Sequence, residues 1–245
     1  MNTLLVTSRV TFIPNNYNDF ICSLASCRHI SGLIILDNLD RSIFFSAAKA
    51  YFAGARRIAR NLVINTLPKH HQARFSAFNR FQKPVYLLKS INSEEAKNII
   101  ADNQTDLIVN ARTRSIYRKD LLSMPKMGCI NIHHGLLPNQ RGTMCDLWAM
   151  AENRKGGFSI HTMNEKIDDG DILGVYEVPQ PESKDYCDYL TTSGRLEYQA
   201  IVKILDELEK SGSIEGCANR SDGSAHYRNP NYNQIRAFLK RGYHL

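Results

Sequence analysis

The residues best suited to chemistry lie in residues 128–150, GCINIHHGLLPNQRGTMCDLWAM. Asn131 and His133 stand two apart in a run that reads as a strand, so both side chains share a face and Ile132 points into the other layer. Polar groups at the end of a core strand are costly unless hydrogen-bonded or used. A Gly/Pro loop follows, and ligands of open α/β sheets bind beyond the carboxyl ends of strands. Asparagine there can donate to a carbonyl oxygen as it becomes negative; histidine can donate to the same oxygen or move a proton. A second polar cluster is His161 followed by Asp168-Asp169-Gly170-Asp171. A carboxylate near the Asn/His pair would orient the histidine, or accept a proton through water from an attacking amine. On spacing alone, DDGD reads equally well as a surface turn. A metal site built from His133, His134, His161 and Asp168 also stays open.

The elements that must position these residues alternate in type. Apolar runs at residues 4–10, 31–36, 62–64, 85–88, 107–110 and 129–133 read as strands. Residues 17–27, 40–59 and 93–103 read as helices, the last capped by Ser93 with Glu94 and Glu95 in its first turn. Short apolar strands separated by helices mean βα units, a parallel sheet and an α/β fold. Residues 68–83 read as a basic surface loop with His70 and His71 in solvent. Later, residues 158–163 and 173–178 read as strands with more polar alternation. Residues 190–208 form a helix with Leu196, Ala200, Ile201, Ile204, Leu205 and Leu208 along one side. Residues 226–245 hold an aromatic-rich turn and a final short basic helix.

The 245 residues suffice for one sizeable core, and 43% apolar with 22% charged residues excludes a disordered or fibrous chain. The formal charge of +7 points to anionic partners, either nucleic acid or a small phosphorylated or carboxylated substrate. The six cysteines form no CxxC pair, which argues against a zinc knuckle or a thioredoxin-like site. GxGxxG, P-loop and GxSxG motifs are absent from the sequence. The start MNTLLVTSRVTF lacks a signal-peptide pattern, and no run of about 18 apolar residues occurs. These features lead to the expectation of a cytoplasmic protein with reduced thiols and no membrane partner.

NIHHGLLPNQRG followed by HTMNEKIDDGDI resembles the folate-dependent formyltransferase family. That family includes methionyl-tRNA formyltransferase, glycinamide ribonucleotide transformylase and the sugar N-formyltransferases. The upstream DLIVNARTRSIYRKDLLSMPKMG is also similar, so the resemblance covers residues 105–178. It implies a Rossmann-like formyltransferase fold with a mostly parallel central sheet and a small C-terminal extension. It implies N10-formyltetrahydrofolate as co-substrate, a primary amine as acceptor, and no metal. By position, the catalytic residues are Asn131, His133 and Asp168. Asn131 and His133 would hold the formyl oxygen as it gains charge, and Asp168 would set the histidine and relay a proton. Asn110, Arg112, Arg114, Ile116, Ile167 and Asp171 would wall the pterin pocket. His134, Arg141 and His161 would face the acceptor. His134-Gly135 departs from the family's common Pro-Ser.

TSRVTFIPNNYNDF stands where glycinamide ribonucleotide transformylase carries a glycine-rich phosphate loop, which argues against that acceptor. The roughly 65 residues after Val178 leave no room for the barrel that contacts tRNA in methionyl-tRNA formyltransferase, so tRNA is not expected as a partner. The tail SAHYRNPNYNQIRAFLKRGYHL is similar to the endings of short formyltransferases, some of them nucleotide-sugar enzymes. The reading is therefore a catalytic domain at 1–180, a packed C-terminal helix and tail at 181–245, and a small anionic amine acceptor, an amino sugar linked to a nucleotide. Alternatives are a formyltetrahydrofolate hydrolase, a methionyl-tRNA formyltransferase-like enzyme, or a non-catalytic folate- or nucleotide-binding protein. Tyr186, Tyr189, Tyr227 and Tyr232 are expected as exposed aromatics that either line a homodimer interface, toward which the reading leans because similar short formyltransferases are often dimers, or simply pack the C-terminal piece.

Overall fold

The computed structural model describes residues 1–220 and 225–245; Ser224, the first residue of the tail segment quoted above, lies outside them. The elements are β1 (Thr3–Ser8), a short 3-10 turn (Pro14–Tyr17), α1 (Asn18–Leu24), β2 (Ile30–Leu36), α2 (Arg41–Ala53), α3 (Arg56–Ile64), α4 (Pro68–Asn79), β3 (Val85–Leu88), α5 (Glu94–Asp102), β4 (Leu107–Ala111), α6 (Lys119–Leu122), β5 (Cys129–His133), β6 (Gln140–Gly142), α7 (Cys145–Ala151), β7 (Gly156–Thr162), β8 (Ile172–Val178), α8 (Tyr186–Ser211), β9 (Ala225–Tyr227) and α9 (Tyr232–Lys240).

Seven strands form one sheet in the order β3-β2-β1-β4-β5-β7-β8. The pairings from β3 through β5 are parallel, and β7 and β8 join antiparallel. This is the α/β class, with a mostly parallel sheet, that the alternating apolar runs predict. Period-two alternation sorts the strand residues between two cores. Leu5, Leu33, Val109, Ile130, Ile132 and Ile160 pack on one face with α1, α7 and α8. Leu4, Val6, Ile34, Ile108 and Cys129 pack on the other with residues of α5 and α6. Asn131 and His133 alternate with Ile130 and Ile132 and therefore lie on the Cys129 side.

Several local expectations are corrected. Residues 62–64 are not a strand but the last turn of α3, and the helix expected over 40–59 is two, broken at Gly54 in the left-handed region (φ 98°). Residues 68–83 are not a surface loop. Pro68 starts α4, and His70, Arg74 and Phe78, four apart, form its buried face. Arg74 is fully buried and donates to Asn18 Oδ1 and to the carbonyls of Ser8 and Asn16, so a basic sequence conceals a core cation. His71 accepts from Arg9 Nε. Asp185 caps α8 by accepting from the Cys187 and Asp188 amides, so the helix begins before residue 190. That start puts Tyr186 and Tyr189 in the core at 0% exposure, so of the two expectations for them they pack the C-terminal piece and are not exposed. Tyr227 stacks on Trp148, and of the four tyrosines Tyr232 is the one that stands exposed.

Candidate active site

Register alone lines up three polar side chains. Asn110 on β4 lies opposite Asn131 on β5, and Asn131 lies opposite His161 on β7. Neighbours in register share a face and sit close enough to hydrogen-bond. Thr113 Oγ1 and Tyr117 Oη donate to Asn110 Oδ1 at 2.6 and 3.2 Å. Asn110 Nδ2 donates to Asn131 Oδ1 at 2.8 Å. Asn131 Nδ2 donates to His161 Nε2 at 3.1 Å, and His161 Nδ1 donates to the Thr162 carbonyl at 2.6 Å. That carbonyl can only accept, which places the His161 proton on Nδ1 and leaves Nε2 as an acceptor. Burial, reinforced by His133, pulls the His161 pKa down to about 4, so the ring is neutral at neutral pH. The chain thereby fixes which end of the Asn131 amide is nitrogen. One Nδ2 hydrogen goes to His161, and the amide carries a second.

His133 ends β5. Its Nδ1 lies 3.3 Å from Asp168 Oδ1, and its Nε2 lies 2.7 Å from the Gln140 carbonyl. Both ring nitrogens thus face acceptors. Asp168 is 9% exposed and holds a left-handed backbone (φ 52°). Burial pushes its carboxyl pKa up. The His133 hydrogen bond and charge and the Gly142 amide outweigh that, and the net shift is downward. Gly170 lets this loop fold back on β7: a Cβ there would sit 1.8 Å from the Thr162 carbonyl oxygen.

Arg141 directs its guanidinium to groups of the protein itself. Nε donates to the Pro138 carbonyl, Nη1 to the Asp168 carbonyl, and Nη2 to Asn219, both its carbonyl and its Oδ1. Asn219 Nδ2 donates to the carbonyls of Asp168 and Gly170. The pair clamps the backbone that carries Asp168.

Arg112 also turns inward. It ion-pairs with Glu197 of α8 at 3.3 Å and lies over the Tyr17 ring at 5.4 Å. Burial opposes its charge more than any single neighbour supports it, but Glu197, Tyr17, Asp146 and Tyr186 together outweigh it and the pKa rises. Tyr17 Oη and Ser193 Oγ both donate to Glu197. His134 Nδ1 lies 3.4 Å from the same carboxylate, and burial, with Arg112 nearby, holds the ring well below its ordinary pKa. His134 thus belongs to a buried charge cluster under the site. Arg114, Ile116, Ile167 and Asp171 are exposed on the loops after β4 and before β8, and none joins the Asn131–His133–Asp168 network.

Sequence reasoning missed Glu197, Tyr17 and Asn219. Glu197 carried a readable signal: it interrupts the apolar stripe that runs from Leu190 through Ile201 to Leu208, and an acid there must be paired. Tyr17 and Asn219 gave none, because their partners are far away in sequence. Among the described residues, no group of three or more His, Cys, Asp and Glu is arranged to hold a metal ion. Among them also, no helix is long and apolar enough to cross a membrane.

Residues 47–205 match the family model described as formyl transferase, well over half of the chain. Over 103 residues, 42% of this chain, the sequence is 35% identical to the bifunctional polymyxin resistance protein ArnA of Wigglesworthia glossinidia brevipalpis, and the match spans 16% of that protein's length. The fold is similar to that of phosphoribosylglycinamide formyltransferase from Anaplasma phagocytophilum, with TM-score 0.61 and 15% identity over 91% of this chain and 98% of that one. It is also similar to a sugar N-formyltransferase from a Shewanella species, with TM-score 0.54 and 18% identity over 97% and 86% of the two chains. At these identities the structural likeness is one of fold.

Proposed function

This chain belongs to the formyl transferase family, and from that premise we propose that it moves a formyl group to a primary amine of a small anionic acceptor, an amino sugar linked to a nucleotide. The resemblance of NIHHGLLPNQRG and HTMNEKIDDGDI implies N10-formyltetrahydrofolate as the formyl donor. When bound, it supplies an electrophilic formyl carbon and a leaving nitrogen. The observation that carries the proposal is the convergence of Asn131, His133 and Asp168 at the carboxyl end of β5, with His133 Nδ1 3.3 Å from Asp168 Oδ1.

The second Nδ2 hydrogen of Asn131 donates to the formyl oxygen as it becomes negative. His133, at the end of the same strand, would stand beside that oxygen. Asp168 orients the His133 ring; it would take the proton released by the attacking amine through water and return it to the leaving nitrogen, so that the donor's C–N bond breaks as the new one is completed. The exposed Ile116 and Ile167 offer apolar surface to the faces of a flat pterin, and the Asp171 carboxylate offers an acceptor to its N–H groups. Those residue types fit the donor. Arg114 is an exposed cation of the loop after β4, placed to meet an anionic group of donor or acceptor.

The choice of acceptor draws support from the loop after β1. Asn16 is buried and bonds the Thr11 amide and the Arg9 carbonyl, and Tyr17 bonds Glu197. The polar side chains of this loop are taken up by other groups of the protein, Asn16 within the loop and Tyr17 by Glu197, so it does not read as a phosphate cradle of the glycinamide ribonucleotide type. We assign residues 1–180 to the catalytic domain and residues 181–245 to a segment packed on it, which lends Glu197 and Asn219 to the site's surroundings.

The test is incubation with N10-formyltetrahydrofolate, with and without a panel of nucleotide-linked amino sugars, following tetrahydrofolate release and product mass. Release that requires one amine, with that amine formylated, is the expected result. Formate released with water alone would make the protein a hydrolase. Asn131→Ala should bind folate yet lose about 10²–10³ in kcat. Full turnover in both Asn131→Ala and Asp168→Ala would overturn the mechanism.

A further inference from the structure

Helix α2 carries an aromatic face that the catalytic reading does not use. Phe44, Phe45, Tyr51 and Phe52 stand 50%, 68%, 55% and 75% exposed. Together with Ala48 they sit at i, i+1, i+4, i+7 and i+8, which at the helical period is one side. The buried residues of the same helix, Ile43, Ala47 and Ala53, lie on the other side. Scattered exposed apolar residues are ordinary; a contiguous aromatic stripe marks an interaction surface.

The stripe is symmetric about Ala48. Aromatic residues stand three and four positions before it and three and four positions after it. Eight positions before it is Asp40, the exposed N-cap carboxylate of α2; eight positions after it is Arg56, exposed just past the helix end. Such a pattern is self-complementary when two copies of the helix cross antiparallel with Ala48 on the two-fold axis. Phe44 and Phe45 of each copy then meet Phe52 and Tyr51 of the other. The negative helix start of one copy meets the arginine at the helix end of the other. A small residue at the crossing point allows close approach of the two helices. An isologous interface requires this kind of reciprocity.

We propose that α2 is the dimer interface of this protein, with a second copy of the chain as its occupant and Ala48 at the two-fold axis. The four aromatics expose about 500 Å² per protomer, more than half of the roughly 800 Å² per partner of a standard interface. The competing occupant is an anionic bilayer, since no Asp or Glu occurs from Arg41 to Ser93. The mirror pattern and the acid at Asp40 favour the second copy: a lipid surface needs no two-fold symmetry and repels a carboxylate.

Sedimentation velocity over a wide concentration range tests this on the whole chain, independently of activity. A reversible dimer is expected. Phe52→Glu should weaken it by at least about 100-fold without changing the thermal melt, because each dimer loses two aromatic anchors. Arg56→Glu should weaken it about 10-fold by facing like charges. Under mild oxidation, Ala48→Cys should give a 48–48 disulfide in peptide mapping, whereas Ser46→Cys, exposed on another side of α2, should not. A monomer at every concentration, or a dimer indifferent to Phe52→Glu, would overturn the proposal. So would a monomer that co-sediments with phosphatidylglycerol vesicles and loses that binding in Phe52→Glu.

Discussion

Asn110 Nδ2 donates to Asn131 Oδ1 across 2.8 Å, in register between two parallel strands. Asn110 itself is 5% exposed and accepts from two hydroxyls, so its amide has one orientation. The sequence reading placed Asn110 in a pocket wall; in the structure its side chain is hydrogen-bonded to Asn131. Asn110→Leu should lower kcat about tenfold, the worth of one hydrogen bond, with little change in KM for the folate. In an Asn131→Ala background the same change should cost much less, because the group it positions is gone. Steady-state kinetics of the four proteins in this cycle check the coupling.

Gly135 replaces a serine common in the family, and the structure shows what the replacement accommodates. A Cβ at this position would lie 2.6 Å from the Gln140 carbonyl oxygen and 2.7 Å from His133 Nε2. Gly135→Ser therefore displaces His133 or breaks its bond to Gln140. The expected outcome is a fall in kcat of about 10²-fold, from a misplaced catalytic group, with the protein still folded. Far-UV circular dichroism and kinetics measured side by side distinguish misplacement from unfolding.

Glu197 and Arg112 form a buried ion pair, at 0% and 9% side-chain exposure. Removing one partner strands the other charge. Glu197→Leu should lose about 3–5 kcal/mol of stability. Replacing both, with Arg112→Met and Glu197→Leu, should recover most of that loss, because two apolar groups need no partner. Urea denaturation of the single and double variants measures the difference.

His161 sets an acid limit on stability. Its pKa is about 4 in the folded protein against an ordinary 6.5, so between these values the unfolded chain binds a proton that the folded one does not. Stability is therefore complete above pH 6.5 and declines as pH falls toward 4, by up to about 3 kcal/mol for this one group. His71, half-buried and also lowered to about 4, adds to the same slope. His161→Asn should flatten the stability profile in this window without abolishing it. Denaturation midpoints measured across that range check the slope. Protonating Nε2 also turns an acceptor toward the Asn131 N–H into a donor, so activity should fall at the acid end as well.

Much of this molecule was legible from residues in order along the chain. The apolar runs of β2, β4 and β5 announce parallel strands because a strand buried on both faces has few polar positions. Ser93 and the acids behind it mark the start of α5 because an N-cap is a local device. Asn131 and His133 share a face because strand geometry repeats every two residues. By contrast, α4 hid behind its charges, since Arg74 reads as a surface residue until the carbonyls that receive it are assembled around it. Tyr186 and Tyr189 read as exposed because aromatic side chains suit either location.

The amino-acid sequence by itself determined the α/β class, the family, and the order in which Asn131, His133 and Asp168 appear. Those properties follow from local periodicity and from motifs read along the chain. Only the tertiary structure decided what each polar group meets: Asn110 with Asn131, His161 with the Thr162 carbonyl, Arg141 with the backbone of Asp168, and Arg112 with Glu197. A side chain's role depends on partners brought from distant strands and helices, on its burial among them, and on the charge that burial permits. None of these is a property of residues adjacent in the chain.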